Sequence, residues 1–241
     1  ARISRRILWN KDKFTFDEWA KAGFDTYVIQ TETEIPELVK AWEKHPNKKV
    51  ADAIAELQNW DHVSRTTSVP MTLFTLWHEK QYGTAVIHVG KKQEPVESLA
   101  LTMDELTAKF GTWRVAWGDL NRLERRQSGG EEPFRDDVKS LPIAGAPGDL
   151  GIVFNFYARP EAGQKRRYGV AGHSFISVVE FAPEVKARSI MVFGENSDPA
   201  SKHYFDQSEI YARQEFKPAY FSLADIKAHA ERTYHPGDKG K

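Results

Sequence analysis

The apolar residues of this chain change their spacing once, and that change limits the folds open to it. Through the first 125 residues they recur every three or four positions, the interval at which side chains stack on one face of a helix. Leu38, Val39 and Trp42 share one such face, Val50, Ile54, Leu57 and Trp60 another, and Met71, Leu73, Phe74 and Trp77 a third. After residue 150 the period becomes two. Ile152, Phe154 and Phe156 alternate with Val153, Asn155 and Tyr157, and Phe175, Val179 and Phe181 alternate with Ile176, Val178 and Glu180. Ser189 to Phe193 is a further apolar run ending at Gly194. These segments predict consecutive antiparallel strands. A helical stretch followed by strands makes an α+β fold, divided into a helical segment over 1–125, a Gly/Pro-rich loop over 126–149, and strands with C-terminal helices over 150–241.

Start and stop signals refine the pattern. Thr15 and Glu18 form a capping box before Trp19, Ala20 and Phe24, and Thr102 with Glu105 reads as a second one, leading to Leu106 and Phe110. Pro36 suits the first turn of a helix. The loop carries Ser128, Gly129, Gly130, Pro133, Pro142, Gly145, Pro147 and Gly148, a density of turn formers that argues against regular structure. A polar loop follows Gly194, then a helix around Tyr204 to Arg213, and Ser222 with Asp225 opens a last one. The tail from His235 to Lys241 is expected to fray.

Charge and composition exclude several functions. Lys plus Arg and Asp plus Glu each total 34, so no net field draws the chain to nucleic acid or to a membrane. No apolar run approaches a membrane span. Ala1 to Arg6 is basic but leads into no apolar stretch, so it does not read as a signal peptide. The absence of cysteine rules out disulfides, thiolate metal sites and a cysteine nucleophile.

Residues that could carry chemistry are scattered. His45, His62, His78, His88, His173, His203, His229 and His235 form no close metal-ligand pair. His173 sits at a strand start between Gly172 and Ser174, where a tie from strand edge to loop outweighs a Ser–His dyad. Asp61, Asp119 and Asp206 could act as acid–base carboxylates, but their separation favours helix capping or pairing with arginine. Lys165, Arg166 and Arg167 read as a solvated turn. No phosphate-binding glycine loop, nucleophile elbow or zinc-protease helix motif is present.

Several segments, taken in order, resemble the penicillin acylase family of penicillin, cephalosporin, aculeacin and acyl-homoserine-lactone acylases. Leu57-Gln58-Asn59-Trp60-Asp61 resembles its L-x-x-W-D helix end, and Trp113 to Arg122 its W-x-W-G segment. Leu141 to Gly148 resembles its Gly-Pro loop before a strand, and Gly172-His173-Ser174-Phe175 with Val179-Glu180-Phe181 the strand pair after it. The strongest match is Gly194 to Gln207, similar to a G-x-S-x-x-x-S-x-H-Y-x-D-Q signature, with Gly194-Glu195-Asn196 departing from the usual Gly-Gln-Ser.

The resemblance implies the C-terminal part of the β-subunit of an N-terminal-nucleophile amidohydrolase. Its fold would be an αββα sandwich, two antiparallel sheets between helical layers, completed with chain upstream. Its nucleophile would be a serine freed by autocatalytic cleavage, absent from a chain that starts at Ala1. Arg2 is the nearest candidate for an arginine that holds the oxyanion-hole Asn and the serine amine, with Arg5 and Arg6 competing. The implied partners are the α-subunit, the N-terminal part of the β-subunit and a small N-acyl substrate, with no nucleic acid and no membrane. No cofactor is expected in this chain, and the calcium that family members often bind would take its ligands upstream. Such enzymes act in the periplasm or outside the cell. Trp113, Trp117 and Phe134 could line an acyl pocket, although core packing is the readier reading. The alternative is a non-catalytic acyl- or peptide-binding domain derived from the same fold.

Overall fold

The computed structural model describes residues 2–83, 94–127, 132–235 and 237. His88, the loop residues Ser128, Gly129 and Gly130, and most of the tail lie outside the described residues. The architecture is α+β, as the change of period predicts.

The helical part contains α1 (Arg2–Trp9), α2 (Phe16–Ala22), α3 (Thr31–Lys44), α4 (Ala51–Gln58), α5 (Val69–Tyr82), α6 (Pro95–Phe110) and the single turn α7 (Trp117–Leu120). The capping box at α2 is formed as read: the Thr15 hydroxyl accepts from the Glu18 amide, and the Glu18 carboxylate accepts from the Thr15 amide. Two other start signals are corrected. Pro36 lies inside α3, because a run of tight turns over residues 28–34, with Thr31 Oγ1 donating to the Val28 carbonyl, starts the helix a turn earlier. Thr102 lies mid-helix in α6, where its hydroxyl donates to the Ser98 carbonyl at 2.9 Å. The true start is Pro95, whose fixed φ suits a first turn.

Helix α5 is the axis of this part. Every residue from Pro70 to Glu79 is buried, so the helix has no solvent face. Leu38, Ile54, Leu57, Leu73, Phe74, Trp77, Leu99 and Leu106 close around it in one apolar core that also takes in Trp117, Ala146, Leu150 and Ile152.

The strands are β1 (Asn121–Leu123), β2 (Leu141–Pro142), β3 (Phe156–Pro160), β4 (Arg167–Gly172), β5 (Phe175–Glu180), β6 (Lys186–Met191) and β7 (Lys217–Pro218), with α8 (Ser208–Ala212) before β7 and α9 (Leu223–His229) after it. One sheet has the order β2-β1-β4-β3, the other β5-β6-β7. The strands after residue 150 pair antiparallel, as expected, and the parallel pair is β4 with β1, a strand that lies ahead of those runs. The alternation at Ile152, Phe154 and Phe156 is real in burial, but the ladder begins only at Phe156; Phe154 instead donates to the Asp25 carbonyl.

The second half of the Gly/Pro segment is core rather than open loop. Ile143, Ala144 and Ala146 are buried, and the Asn121 amide nitrogen donates to the Ile143 and Gly145 carbonyls at 2.8 and 2.9 Å. A second core joins Phe24, Leu123, Ile143, Phe154, Phe156, Ile190 and Tyr211 between the sheets and α8. Helix α9 buries no residue. Among the described residues, no helix is long and apolar enough to cross a membrane.

Candidate functional site

Helix α1 presents three arginines, and the structure gives each a different setting. Ile3 anchors the helix by burial, while Leu8 and Trp9 remain exposed. Arg6 is committed: its guanidinium makes a two-pronged salt bridge to Glu32 at 2.6 and 2.7 Å, and it lies over the Tyr27 ring. The Tyr27 hydroxyl donates to the same carboxylate at 2.6 Å. These bonds, chiefly those from Arg6, hold the Glu32 carboxyl down to about 2, while burial and the Glu32 charge raise the Tyr27 hydroxyl. Arg5 lies over Trp9. Arg2 sits at the helix start, where Nη1 reaches Gln30 Oε1 only at 3.5 Å. The Gln30 backbone amide donates to the Leu150 carbonyl, and the residue stands at the start of α3 without a side-chain capping bond. Arg2, Arg5, Arg6, Trp9, Asn10 and Ile29 line a cavity of about 330 Å³.

The strongest sequence match, Gly194 to Gln207, folds into a clasp over the second sheet. Gln207 is its hub: the side-chain oxygen accepts from the Met191 amide, Nε2 donates to Glu195, and the backbone amide donates to the Phe193 carbonyl. Asn196 and Asp198 each accept from the amide two residues on. His203 Nδ1 lies 2.7 Å from Asp206 Oδ2. A Cβ at Gly194 would collide with the His203 carbonyl and the Asp206 carboxylate, so the motif needs glycine there. Arg125 reaches in from the end of β1, stacks over Tyr204 and Phe193, and donates to the Tyr204 carbonyl. The spacing of this motif is therefore explained by a fold-closing role.

The other candidates disperse. Asp61 accepts both prongs of Arg65 and the Val63 amide, which keep its carboxyl below the usual range. Asp206 pairs with His203 at a separate place, and Asp119 belongs to α7. His173 holds the strand start by donating its amide to the Asn155 carbonyl; its buried Nδ1 has no partner among the described residues, and burial pushes its pKa down. Trp117 is buried in the first core and donates to the Gly145 carbonyl, whereas Phe134, buried and stacked flat on Tyr168, lines a cavity of about 370 Å³ with Arg125, Arg126 and Tyr204. Trp113 packs on the first core beneath the Arg114 guanidinium.

Lys165 is exposed, as a solvated turn requires, but Arg166 and Arg167 are drawn inward. Asp136 gathers the Lys165 and Arg166 amides and the Tyr168 hydroxyl, and Arg167 makes two 2.7 Å bonds to Glu79 of α5. Both side chains of that pair are nearly buried, which couples the helical part to β4. Burial would raise the Asp136 carboxyl, but the Tyr168 hydroxyl and the two amides outweigh it and leave it low. A second buried pair, Glu34 and His78 at 2.7 Å, lies within the helical core. The sequence carried one signal for both pairs: polar His78 and Glu79 directly after the apolar run of α5, on a helix buried through Glu79.

A family model described as penicillin amidase matches residues 1–228. The acyl-homoserine lactone acylase PvdQ of Pseudomonas putida is 34% identical over 242 residues, spanning 96% of this chain and 31% of the relative. Aculeacin-A acylase of Actinoplanes utahensis is 29% identical over 106 residues, 43% of this chain and 13% of that protein. The thermostable penicillin G acylase of Alcaligenes faecalis superposes with a TM-score of 0.49 at 14% identity, covering 94% of this chain and 50% of that structure. The chain thus spans about a third or less of the length of the curated relatives it matches.

Proposed function

The chain belongs to the penicillin amidase family, and on that premise we propose that it is the C-terminal portion of an amidohydrolase that cleaves the amide bond of an N-acyl substrate. The observation that carries this reading is the 34% identity sustained along 96% of the chain to an acyl-homoserine lactone acylase.

The nucleophile would be an N-terminal serine of a preceding segment. A serine hydroxyl is a weak nucleophile by itself, but the α-amine of the same residue titrates at about 7.7–8.0 and can take its proton near neutral pH. Attack on the amide carbonyl gives a tetrahedral oxyanion, held by backbone amides and an Asn side chain of that segment. Collapse breaks the C–N bond with a proton returned to the leaving amine, and water then hydrolyses the acyl-serine. Losing one oxyanion donor typically costs on the order of 10²–10³ in rate.

Arg2 is the positioning residue contributed here, orienting the Asn and the serine amine. Its guanidinium is less tightly held than that of Arg6: it reaches Gln30 at 3.5 Å, whereas Arg6 is gripped by both oxygens of Glu32. Calcium, where such a protein binds it, would take its ligands from the preceding segment. We place the complete protein in the periplasm or outside the cell, as an assembly cut from one precursor.

The test is to purify the complete protein and determine its chains by intact mass and N-terminal sequencing, then vary the arginines. A second chain beginning with serine is expected. Arg2→Ala should lower kcat strongly and move the acid limb of the rate profile to higher pH, since removing a cation beside an amine raises the amine's pKa. Arg6→Ala should cost stability and leave that limb in place. A lone chain that binds N-acyl compounds without turnover would replace this reading with the binding-domain alternative.

A further inference from the structure

The cavity of about 370 Å³ beside Phe134 shares no lining residue with the cavity at α1, so it stands apart from the proposed amide chemistry. It opens where the end of β1, strand β4 and the Gly194–Gln207 clasp meet. Three consecutive charged residues, Glu124, Arg125 and Arg126, line it.

Both arginines are held in place by the fold. Arg125 lies over the rings of Tyr204 and Phe193, 3.9 and 5.1 Å from their centroids, and donates to the Tyr204 carbonyl. The Tyr204 hydroxyl donates back to the Arg126 carbonyl at 2.6 Å. Arg126 lies 4.4 Å over the Phe134 ring and donates to the Glu132 carbonyl at 3.1 Å. Phe134 is stacked on Tyr168, whose hydroxyl donates to Asp136. Among the described residues both guanidinium groups thus bond carbonyls rather than carboxylates. A guanidinium carries five donors in a rigid fork that matches a carboxylate, so each keeps donors for an anion. Side chains ordered before binding lose little freedom when a ligand arrives, which favours affinity.

Glu124 supplies the opposite charge. It is 4% exposed, and the bond it accepts from the Arg135 amide is 3.5 Å long, at the limit of a hydrogen bond. Burial pushes its carboxyl up, against the pull of that amide and of Arg126. A carboxylate can accept about four hydrogen bonds, so this buried one is short of donors. The rest of the wall is largely apolar, with Phe134, Phe193 and the exposed Val170.

We propose that this cavity binds an α-amino acid with an apolar or aromatic side chain, its carboxylate between Arg125 and Arg126, its ammonium on Glu124 and its side chain against Phe134 and Val170. Each charge of the lining then meets its opposite. An organic acid without the amine would leave Glu124 short of a donor, and an amine without the carboxylate would leave two guanidinium groups without an anion.

Calorimetric titration of the complete protein with L-phenylalanine tests the assignment. The comparison probes are 3-phenylpropionate, which lacks the ammonium, and phenethylamine, which lacks the carboxylate; none of the three has an amide to hydrolyse. L-Phenylalanine should bind one-to-one with a Kd of about 1 mM or tighter. 3-Phenylpropionate should bind at least about tenfold more weakly, and phenethylamine more weakly still. Arg126→Gln should weaken L-phenylalanine at least about tenfold. Glu124→Gln, which keeps the shape of the side chain, should bring L-phenylalanine down to the level of 3-phenylpropionate and leave 3-phenylpropionate unchanged. Arg2→Ala, in the other cavity, should leave the Kd for L-phenylalanine unchanged. No binding of L-phenylalanine at about 10 mM would overturn the proposal. So would either comparison probe binding as tightly as L-phenylalanine. Binding that is lost in Arg2→Ala but kept in a folded Arg126→Gln would also overturn it, by placing the amino acid at α1.

Discussion

The helical part and the second sheet treat their apolar residues differently. Around α5 the chain closes a core on all sides, and Phe74, Trp77 and Leu73 are almost wholly shielded. On β5-β6-β7 the shielding is partial: Val178 and Ile190 are buried on one face and Ser189 on the other, while Phe175, Val179 and Phe181 stand exposed, and α9 buries none of its residues. The helical core is shielded around α5, whereas the second sheet leaves three large apolar side chains of one face exposed.

Substitutions sharpen the contrast. Phe74→Ala should be the most damaging, costing about 3–5 kcal/mol in urea-induced unfolding, since it leaves a cavity in a core with no slack. A cost near zero would mean that the helical core is not closed. Glu79→Ala should cost about 3 kcal/mol by stranding the Arg167 guanidinium beside a buried helix, and it should loosen β4 in hydrogen exchange. Thr15→Ala removes a reciprocal cap and should cost about 1 kcal/mol in the same assay. Phe181→Ser should change the stability of this chain by less than about 0.5 kcal/mol, because little apolar area is lost from its interior. A large cost there would show that the outer face is already packed and would erase the difference between the two regions.

The helices were legible because 3.6-residue periodicity is local, and the capping box at Thr15 and Glu18 formed as read. The same T-x-x-E spacing at Thr102 misled, since an i, i+3 pair also arises in any helix interior. The alternation from Ile152 to Phe156 correctly gave which side chains are buried, but not where the ladder starts, which depends on a bond from Phe154 to Asp25 far back in the chain. The turn formers of residues 126–149 hid buried Ile143 and Ala146, because that stretch is held in place by Asn121 and Trp117 donating to the Ile143 and Gly145 carbonyls. At the candidate site, Arg2, Arg5 and Arg6 were visible as a set. Their division of labour was not, because it depends on Glu32, Tyr27 and Gln30 arriving from the start of α3. The clasp at Gly194 to Gln207 was recognisable as a motif, and its structural purpose appeared only with Gln207 at its hub.

The most direct measurement is amide hydrolysis, run over a panel of N-acyl substrates with this chain alone and with the complete protein carrying the preceding segment. The account predicts no turnover by the chain alone and turnover by the complete protein, abolished when the N-terminal serine of its partner chain is replaced by alanine. Turnover by this chain alone, or a fully assembled protein that cleaves no amide and contains no chain beginning with serine, would contradict it.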